Sequence, residues 1–334
     1  KREAGELQDP LFYHSDPHQS VRIRGTGDEA YKLIADNAEI GDIDPFHLLR
    51  EAPRNGIYSH GGLRYRVQDV IPKLRRVRLA REFSPHVTTS SIGTSIRVRR
   101  PFALRVHERI VVGQAILDVN DYLRGVTEKH LNGSVVRSFP GSAGMPNNWL
   151  PTEGTMLRLE QPFWANVVTE LGESPAKAAL GTIARLFNSL FPTVTGPCDS
   201  SDYSAVADFP KDGPPTVYLY DMVQFGVGLS IEAFDRMQDL VNRSCELVKG
   251  CSCVEDVGCF QCVRNPQAEV AASKSKTLVL LEMIAGELAT PSKRIDSARN
   301  DDSVASLDAT CSTCNAAQSS SSKFCSNCGT KLGE

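Results

Sequence analysis

The first half of the chain alternates apolar and polar residues. Residues 56–70, GIYSHGGLRYRVQDV, and residues 75–82, RRVRLARE, follow this period of two, with Gly61 and Gly62 inside the first run. The alternation recurs in three later runs, 95–101, 109–126 and 155–163. A period of two is typical of strands with one buried face, and paired glycines are typical of a turn. The pattern predicts an antiparallel sheet or small barrel over about residues 20–163.

The second half of the chain changes to helical spacing. Residues 174–192 place apolar side chains every three or four positions, with Ser174 as a candidate N-cap and Pro192 as a candidate end. Residues 228–250 repeat the pattern, with Ser230 as the candidate cap. The spacing therefore predicts two amphipathic helices.

A third helix is predicted over residues 268–288, with four residues facing inward. They are Leu278, Leu281, Ile284 and Leu288. Residues 214–221 form a short apolar run bounded by prolines, which is typical of a buried strand. Residues 289–309 are rich in Ser, Asp and Arg and lose all periodicity, which predicts a flexible linker.

Length and composition argue against a small disulfide-stabilised protein, a membrane protein and a secreted protein. A chain of 334 residues buries a core without covalent help, so size does not explain its ten cysteines. The most apolar run, residues 278–286, is about half as long as a membrane span. The chain starts at Lys1 and shows no charged-then-apolar secretion signal. We therefore expect a cytoplasmic protein that does not contact a membrane.

Eight cysteines fall into two clusters, CSCVEDVGCFQC at 251–262 and CSTCNAAQSSSSKFCSNC at 311–328. Disulfides are disfavoured because Cys251 and Cys253 are too close in sequence for an unstrained bridge, and no oxidising compartment is indicated. A redox C-x-x-C motif usually stands alone at a helix N-terminus. Both remain alternatives, but a tetrahedral zinc ion held by two short knuckles accounts for the spacing of both clusters.

We therefore predict two structural Zn²⁺ sites, each closed by four thiolates. The ligands are Cys251, Cys253, Cys259 and Cys262 in the first site and Cys311, Cys314, Cys325 and Cys328 in the second. A tail of about 24 residues buries too little apolar surface to fold alone, so metal binding would supply its folding free energy. Cys198 and Cys245 are interpreted as small, buried apolar residues.

Together these patterns predict an α+β protein. It would have an N-terminal β-rich domain, a helical zinc-binding domain with a short sheet, and a small C-terminal zinc ribbon. The predicted boundaries are an N-terminal extension at 1–20, the β-rich basic domain at 21–163, the helical four-cysteine domain at 164–288, the linker at 289–309 and the ribbon at 310–334.

Charge is unevenly distributed along the chain. The net charge is −3, but residues 61–110 carry twelve Arg or Lys residues against three acidic ones. Such an excess is typical of a surface that binds a polyanion such as DNA. The candidate phosphate contacts are Arg75, Arg76, Arg78, Arg81, Arg97, Arg99 and Arg100. Tyr58, Tyr65 and Phe83 are candidates for base stacking. The alternatives are a sheet with an arginine-rich solvent face and core packing of the three aromatic rings.

The sequence lacks the motifs of enzymes that bind and hydrolyse nucleotides. There is no G-x-x-x-x-G-K-[ST] phosphate loop and no D-E-x-[HD] box. The G-V-G at 226–228 follows a predicted strand and precedes a helix, but the full dinucleotide motif is missing and a tight turn explains it. The seven histidines show no spacing that suggests a catalytic triad. We expect an accessory protein rather than an enzyme.

Three segments carry a resemblance to a known family. They are residues 24–79 (RGTGDEAYKLIA to LRRVRL), 151–160 (PTEGTMLRLE) and 215–263 (PTVYLYDMVQ to VGCFQCV). In this order they resemble the C-terminal module of the MrfA/YprA-like DEAD/DEAH-box DNA helicases, over about residues 21–288. The resemblance implies a β-rich segment and a helical segment that follow two motor domains. It also implies that the cysteines at 251–262 match the zinc ligands of the family.

The chain departs from the family pattern at two turns. Gln224, Phe225 and Gly226 replace the usual Pro-Gly-Gly, and Phe260 replaces a proline after the third cysteine. The motor domains are also absent from this sequence. The resemblance implies a zinc-stabilised module that binds single-stranded or forked DNA for a 3′-to-5′ superfamily 2 helicase, in the same polypeptide or in trans. The pathway would be DNA repair or phage defence of the DISARM type. The alternative is a scaffold that docks a helicase or nuclease without binding DNA.

Overall fold

The structure is a computed structural model that describes residues 30–141, 144–199, 202–211, 213–264, 272–296, 309–310 and 317–318. Most of these residues divide into two compact units. Unit one contains the described residues up to Gly93 together with those of Asp121–Asn148. Unit two contains Thr94–Asn120 and the described residues from Trp149 to Asp296. The chain combines sheets and helices, so the predicted α+β class is confirmed.

Unit one is built on a five-stranded sheet. Its strands are β1 (Tyr31–Ala35), β2 (Ala38–Ile43), β3 (Ile57–His60), β4 (Leu63–Ile71) and β5 (Arg76–Arg81). The strand order is β2-β1-β5-β4-β3, and β1 pairs with β5 in parallel while the other neighbours are antiparallel. Helix α1 (Pro45–Glu51) begins at Asp44, whose side chain accepts a hydrogen bond from the His47 N–H. Alternate residues such as Leu33, Val67 and Val77 are buried in one core, as a sheet with one solvent face requires.

The larger sheet follows in the sequence. Its strands are β6 (Val87–Val106), β7 (Ile110–Lys129), β8 (Val135–Pro140), β9 (Asn148–Leu159), β10 (Tyr203–Asp208), β11 (Thr216–Asp221) and β12 (Lys293–Asp296). The order is β10-β11-β9-β7-β6-β12, and β8 pairs with β7. Strands β6 and β7 run through both units. The buried strand expected at 214–221 is β11, in which all six residues are buried.

Unit two places its helices on one face of this sheet. They are α2 (Gln161–Leu171), α3 (Glu173–Thr195), α4 (Leu229–Asp235), α5 (Met237–Gly250) and α6 (Lys274–Leu288). Val217 and Leu219 of β11 join the core that the sheet shares with these helices, whereas Tyr218 and Tyr220 join a second buried cluster. Alternation along β11 thus divides one strand between two cores.

Several sequence predictions for the helices need correction. Pro192 does not end α3, which continues to Thr195. The proline cannot donate to the Asn188 carbonyl, and that oxygen instead accepts a hydrogen bond of 2.7 Å from the Tyr203 hydroxyl. Ser174 is not the N-cap, because Gly172 occupies that position. Ser230 lies inside α4, and the predicted second helix is divided into α4 and α5 around Arg236.

The third predicted helix differs from the prediction in its buried face and in where it starts, and residues 268–271 of the prediction lie outside the described residues. It begins at Lys274 and is capped by the Ser273 side chain. Leu281 and Ile284 are buried as expected, but Leu278 and Leu288 are only half-buried. Glu287 is buried instead, where it binds the backbone N–H and the guanidinium of Arg109 at 2.7 Å each.

The predicted linker and ribbon fall largely outside the described residues. Lys293–Asp296 form β12, antiparallel to Ala103–Val106, so the prediction of a structureless segment is wrong for these four residues. The backbones of β13 (Ala309–Thr310) and β14 (Ala317–Gln318) pair antiparallel. The four tail cysteines lie outside the described residues. The predicted domain boundaries stay predictions.

Of the helices in the described part of the chain, none combines the length and the apolar character of a membrane-spanning segment.

Candidate metal centre

Four cysteines of unit two converge on one point. The Sγ atoms of Cys251 and Cys253 lie 3.4 Å apart, and those of Cys251 and Cys259 lie 3.5 Å apart. Cys262 Sγ lies 3.5 Å from Cys253 Sγ and 3.7 Å from Cys259 Sγ. All four sulfur atoms lie within 4.8 Å of one another. The structure thus brings together the first predicted set of metal ligands.

The spacing of the sulfur atoms fits a zinc ion. A tetrahedral centre with Zn–S bonds of 2.3 Å has S···S edges of about 3.8 Å. The observed separations are close to this value, and four thiolates are a preferred donor set for structural zinc. Zinc would supply four bonds that hold the loop closed, with no coordination position left for a substrate.

The local backbone explains how the loop turns. Gly258 adopts a left-handed conformation with φ +68°, and its N–H donates to the Glu255 carbonyl at 2.9 Å. A Cβ at this position would lie 2.3 Å from Val263 Cγ2 and 2.9 Å from Cys262 Sγ. The Cys259 N–H donates to Cys262 Sγ at 3.2 Å, which points the backbone dipole at the sulfur. Glycine is therefore required here both for its φ and for the approach of the sulfur.

Helix α6 is fastened to this loop by its first turn. The Lys274 ammonium donates to the carbonyls of Cys251 and Cys253 at 2.7 and 3.2 Å. Asp256 Oδ1 accepts the Ser275 N–H at 2.9 Å. Hydrogen bonds from the Ser273 hydroxyl and the Ser275 N–H lower the pKa of Asp256 from its usual range. The loop thus links the end of α5 to the start of α6.

Helix α3 contacts the loop from the core side. The Arg185 guanidinium donates to the Cys262 carbonyl, and its burial lowers the pKa of the arginine. Cys262 and Val263 are fully buried in the main core of unit two. Sequence reasoning missed the contributions of Arg185, Lys274 and Asp256. These contacts join residues that are distant in the chain, so no short sequence motif predicts them.

Hydrogen bonds within the cluster shift the pKa values of two of its thiols in opposite directions. A hydrogen bond with Cys251 lowers the pKa of Cys259 to about 7, while hydrogen bonding with the same residue raises the pKa of Cys253 to about 12. One sulfur therefore ionises near neutral pH, and the negative charge opposes ionisation of a second. Binding of a divalent metal would displace the remaining protons, so metal affinity would fall in acid.

The predicted phosphate contacts divide between the two units. Arg75, Arg76, Arg78 and Arg81 lie in unit one, and Arg97, Arg99 and Arg100 lie in unit two. In unit one, Arg76 and Arg78 project from the exposed face of β5, where they alternate with buried Val77 and Leu79. Arg78 binds Asp69 at 3.0 Å, and the Arg81 guanidinium carbon lies 5.0 Å from the centroid of the Tyr65 ring.

In unit two the charge of two arginines is already shared with an acid. Arg97 and Arg99 both bind Asp118, at 3.2 and 2.8 Å, and the Asp118 side chain is largely buried. Such ion pairs reduce the charge available to a phosphate. The roles of the seven arginines stay predictions.

The three aromatic candidates differ in exposure. Tyr65 is buried in the core of unit one, as the packing alternative predicts. Tyr58 is half-buried, and Phe83 is 90% exposed. Of these rings, Phe83 is the one whose face is open to a ligand.

The G-V-G turn is filled by an internal carboxylate. Asp221, at the end of β11, is fully buried. Its oxygens accept the N–H groups of Val227 and Gly228 at 2.7 and 2.8 Å, and that of Ser230 at 2.7 Å. An anion would need these same donors, so the turn holds its own negative charge and is a strand-to-helix turn, as the sequence predicts.

The comparisons with known proteins agree with the chemistry of the site. Residues 183–263 match the family described as the MrfA Zn-binding domain. The chain is 22% identical over 277 residues to the uncharacterised ATP-dependent helicase YprA of Bacillus subtilis (strain 168), covering 81% of this chain and 36% of the relative. The crystal structure of the DUF1998 helicase MrfA bound to DNA aligns with a TM-score of 0.59 and 21% identity, over 81% of this chain and 36% of that one.

The matched segment begins in α3 and ends directly after Cys262. This segment therefore contains all four clustered cysteines. The chain as a whole spans only about a third of the length of the YprA and MrfA helicases it matches. The resemblance predicted from the sequence is confirmed for this segment: residues 183–263 match the MrfA Zn-binding domain, and the chain is similar to the helicases YprA and MrfA.

Proposed function

We propose that this chain is a zinc-stabilised nucleic-acid-binding module that serves a superfamily 2 DNA helicase, in the same polypeptide or as a separate partner. The observation that carries the proposal is the four-cysteine centre, which lies in a segment that matches the MrfA Zn-binding domain. The MrfA structure that resembles this chain was solved bound to DNA. In this role the chain would hold DNA while a motor elsewhere supplies ATP hydrolysis, and it would not itself be an enzyme.

Phosphate contacts would provide the binding energy. Arginine side chains that bind phosphates release counterions, so affinity is independent of base sequence and falls steeply with salt. Arg76 and Arg81 are the exposed arginines of β5 that make no ion pair with a residue the structure describes. They are therefore the strongest of the predicted contacts on β5.

Fluorescence anisotropy of the purified chain with labelled single-stranded and forked DNA tests the proposal. Between 50 and 200 mM salt, affinity should fall by about 10³-fold or more if six or more phosphates are bound. Arg76→Gln and Arg81→Gln should each reduce the salt slope by about one, because each removes one contact. Arg236→Gln, which removes an exposed arginine paired with Glu232, is the matched control. An affinity that does not change with salt would contradict the proposal.

The pathway is proposed to be DNA repair or phage defence. A deletion strain distinguishes the two. Sensitivity to a DNA crosslinking agent with normal phage resistance supports repair, and the reverse result supports defence.

A protein-interaction scaffold is the second candidate, and one surface of unit two favours it. The turn between β11 and α4 exposes Val223, Phe225 and Val227. Phe225 is held in a left-handed conformation, φ +66°, by a hydrogen bond of 2.7 Å from its N–H to the Pro151 carbonyl. Exposed apolar residues on a rigid turn are typical of a protein contact.

The two functions differ in what each variant changes. If the scaffold is correct, Phe225→Ala weakens binding to purified helicase motor domains, and no DNA complex forms until the motor is added. If the DNA-binding module is correct, the isolated chain shifts DNA in a gel and Phe225→Ala leaves this shift unchanged.

A further inference from the structure

The outer surface of the metal loop carries an exposed aromatic ring beside an arginine. Phe260 lies between Cys259 and Cys262 and is 65% exposed. The Arg264 guanidinium carbon lies over one face of this ring, 5.3 Å from its centroid, so a base would stack on the opposite face. Pairs of this kind bind unpaired bases, because a base stacks on the ring while the guanidinium attracts the adjoining phosphate.

A cavity adjoins the same loop. It is largely open to solvent and has a volume of about 470 Å³. Helices α3 and α5 and the metal loop contribute lining residues, among them Leu190, Thr193, Arg243, Leu247, Ser252 and Gln261. Gln261, the residue directly after Phe260, belongs to this lining. The lining combines apolar side chains with amide, hydroxyl and guanidinium groups, which suits a nucleotide.

Positive charge at this surface is available to a ligand. Arg243 and Arg264 are exposed, and neither forms an ion pair with a residue in the described part of the chain. Arg78, Arg97 and Arg99, in contrast, are all paired with aspartates. Glu246 is the one acidic residue among those lining the cavity.

The acidic residues of the loop itself neutralise little of this positive charge. Asp256 is engaged by the first turn of α6. Glu255 is exposed and is screened by solvent.

We propose that single-stranded DNA crosses the outer surface of the metal loop, with one base stacked on Phe260 and a neighbouring nucleotide in the cavity. Arg264 and Arg243 bind the phosphates on either side. This inference rests on the proposed DNA-binding function and adds a contact surface for single strands in unit two. Duplex DNA fits the surface poorly, because its bases are already stacked and their faces are not available to a ring. The metal holds Phe260 in place without contacting the DNA.

Binding of the zinc-loaded chain to a labelled thymidine oligonucleotide and to a duplex, at 50 mM salt, tests the site. Phe260→Ala should weaken single-strand binding by about 5- to 100-fold and duplex binding much less. Phe260→Trp should retain single-strand affinity, because the larger ring also stacks. Arg243→Gln should reduce the salt slope by about one. Val254→Ala, a change at a fully exposed residue of the same loop, is the matched control and should bind as the unaltered chain does.

A 2-aminopurine base within the oligonucleotide gives a second measurement. Its fluorescence should be quenched by the unaltered chain and by Phe260→Trp but not by Phe260→Ala, since quenching reports stacking. Zinc content is measured for each variant. If Phe260→Ala loses zinc, the Arg243→Gln variant tests the proposed site instead. Arg243 lies on α5 outside the loop, so its substitution should not disturb the metal.

The outcomes separate this inference from the proposed function. If the unaltered chain binds DNA and both Phe260→Ala and Arg243→Gln retain zinc and full affinity, the site is wrong and the DNA-binding function stands. If the unaltered chain binds no single-stranded DNA at 50 mM salt, both are wrong.

Discussion

Gly258 is the residue on which the geometry of the metal loop depends most. Its φ of +68° favours glycine, and any Cβ would meet Val263 and the sulfur of Cys262. Gly258→Ala should therefore displace one ligand and lower zinc affinity at least tenfold, a lower bound of about 1.4 kcal/mol. Competition with a chromophoric zinc chelator measures the change.

Gly250 offers a matched control for this prediction. It lies at the end of α5, and a Cβ there has no neighbour within 4 Å among the atoms described. Gly250→Ala should leave zinc affinity unchanged. Equal affinities for the two alanine variants would show that the loop adjusts without the left-handed turn.

Glu128 is a buried carboxylate whose charge unit one depends on. Its side chain is 1% exposed and binds Arg66 at 2.8 Å, Arg137 at 2.9 Å and His86 at 2.7 Å. The hydrogen bonds from Arg66 contribute most to lowering its pKa from 4.5 to about 2. Since the folded-state pKa lies below the unfolded value, the stabilisation is complete above about pH 4.5 and is lost as the pH falls toward 2.

Glu128→Gln should lower the free energy of unfolding by up to about 3 kcal/mol at pH 7, because it removes the buried negative charge that Arg66 and Arg137 both bind. The difference from the unaltered protein should shrink as the pH falls from 4.5 to 2. Urea denaturation over this range measures it. Glu39→Gln, at a half-exposed ion pair with Lys32, should have a smaller effect. A difference independent of pH would exclude a role for the carboxylate charge.

At the scale of the element, the start of α4 depends on the Asp221 carboxylate. That group replaces the external anion that a glycine turn before a helix often binds. Asp221→Asn keeps the shape but loses the charge and one acceptor oxygen, which should lower the free energy of unfolding by about 2 kcal/mol. Chemical denaturation monitored by circular dichroism measures the loss.

The control for this change is Asp239→Asn in the exposed first turn of α5. It should alter stability by a few tenths of a kcal/mol, as expected for a solvated charge near a helix N-terminus. If both substitutions had the same small effect, the backbone hydrogen bonds of Asp221 would not be what holds this turn.

Elements were more predictable than their ends and partners. Alternation and helical spacing record burial, so they placed β4, β5 and α3 correctly. The predictions that Pro192 ends one helix and that Ser230 caps the next were wrong, because tertiary contacts decide where those helices begin and end. The Tyr203 hydroxyl satisfies the carbonyl that Pro192 leaves free, and Asp221 caps the turn before Ser230. The parallel pairing of β1 with β5 joins segments some 40 residues apart and leaves no local pattern.

The site was predictable where its chemistry is local. Cysteine spacing predicts a metal loop because the four ligands come from one short stretch of sequence and converge on one point. Charge counting along residues 61–110 was less informative, because it does not show which arginines are paired. Asp118, outside that window, binds Arg97 and Arg99. Exposed Phe260 and the cavity beside Arg243 required the structure.

At the scale of the whole molecule, the metal loop acts as a staple within unit two. It connects α5 to α6 through Lys274 and Asp256, and it connects both to α3 through Arg185. These contacts place three helices on one small loop whose own apolar content is low. Metal bonds therefore stabilise packing that the loop cannot stabilise alone.

Zinc stoichiometry tests this arrangement together with the second predicted site. The unaltered chain should contain two zinc ions by elemental analysis. Cys253→Ser should retain one and should lower the melting temperature of the helical unit, because its loop opens. Cys314→Ser should also retain one but leave the helices as stable as before, since its cluster belongs to the tail. Cys245→Ser, outside both clusters, should retain two and serves as the control. One zinc ion in the unaltered chain, unchanged in Cys314→Ser, would show that the tail is not a zinc ribbon and would leave the cluster at Cys251–Cys262 as the metal centre.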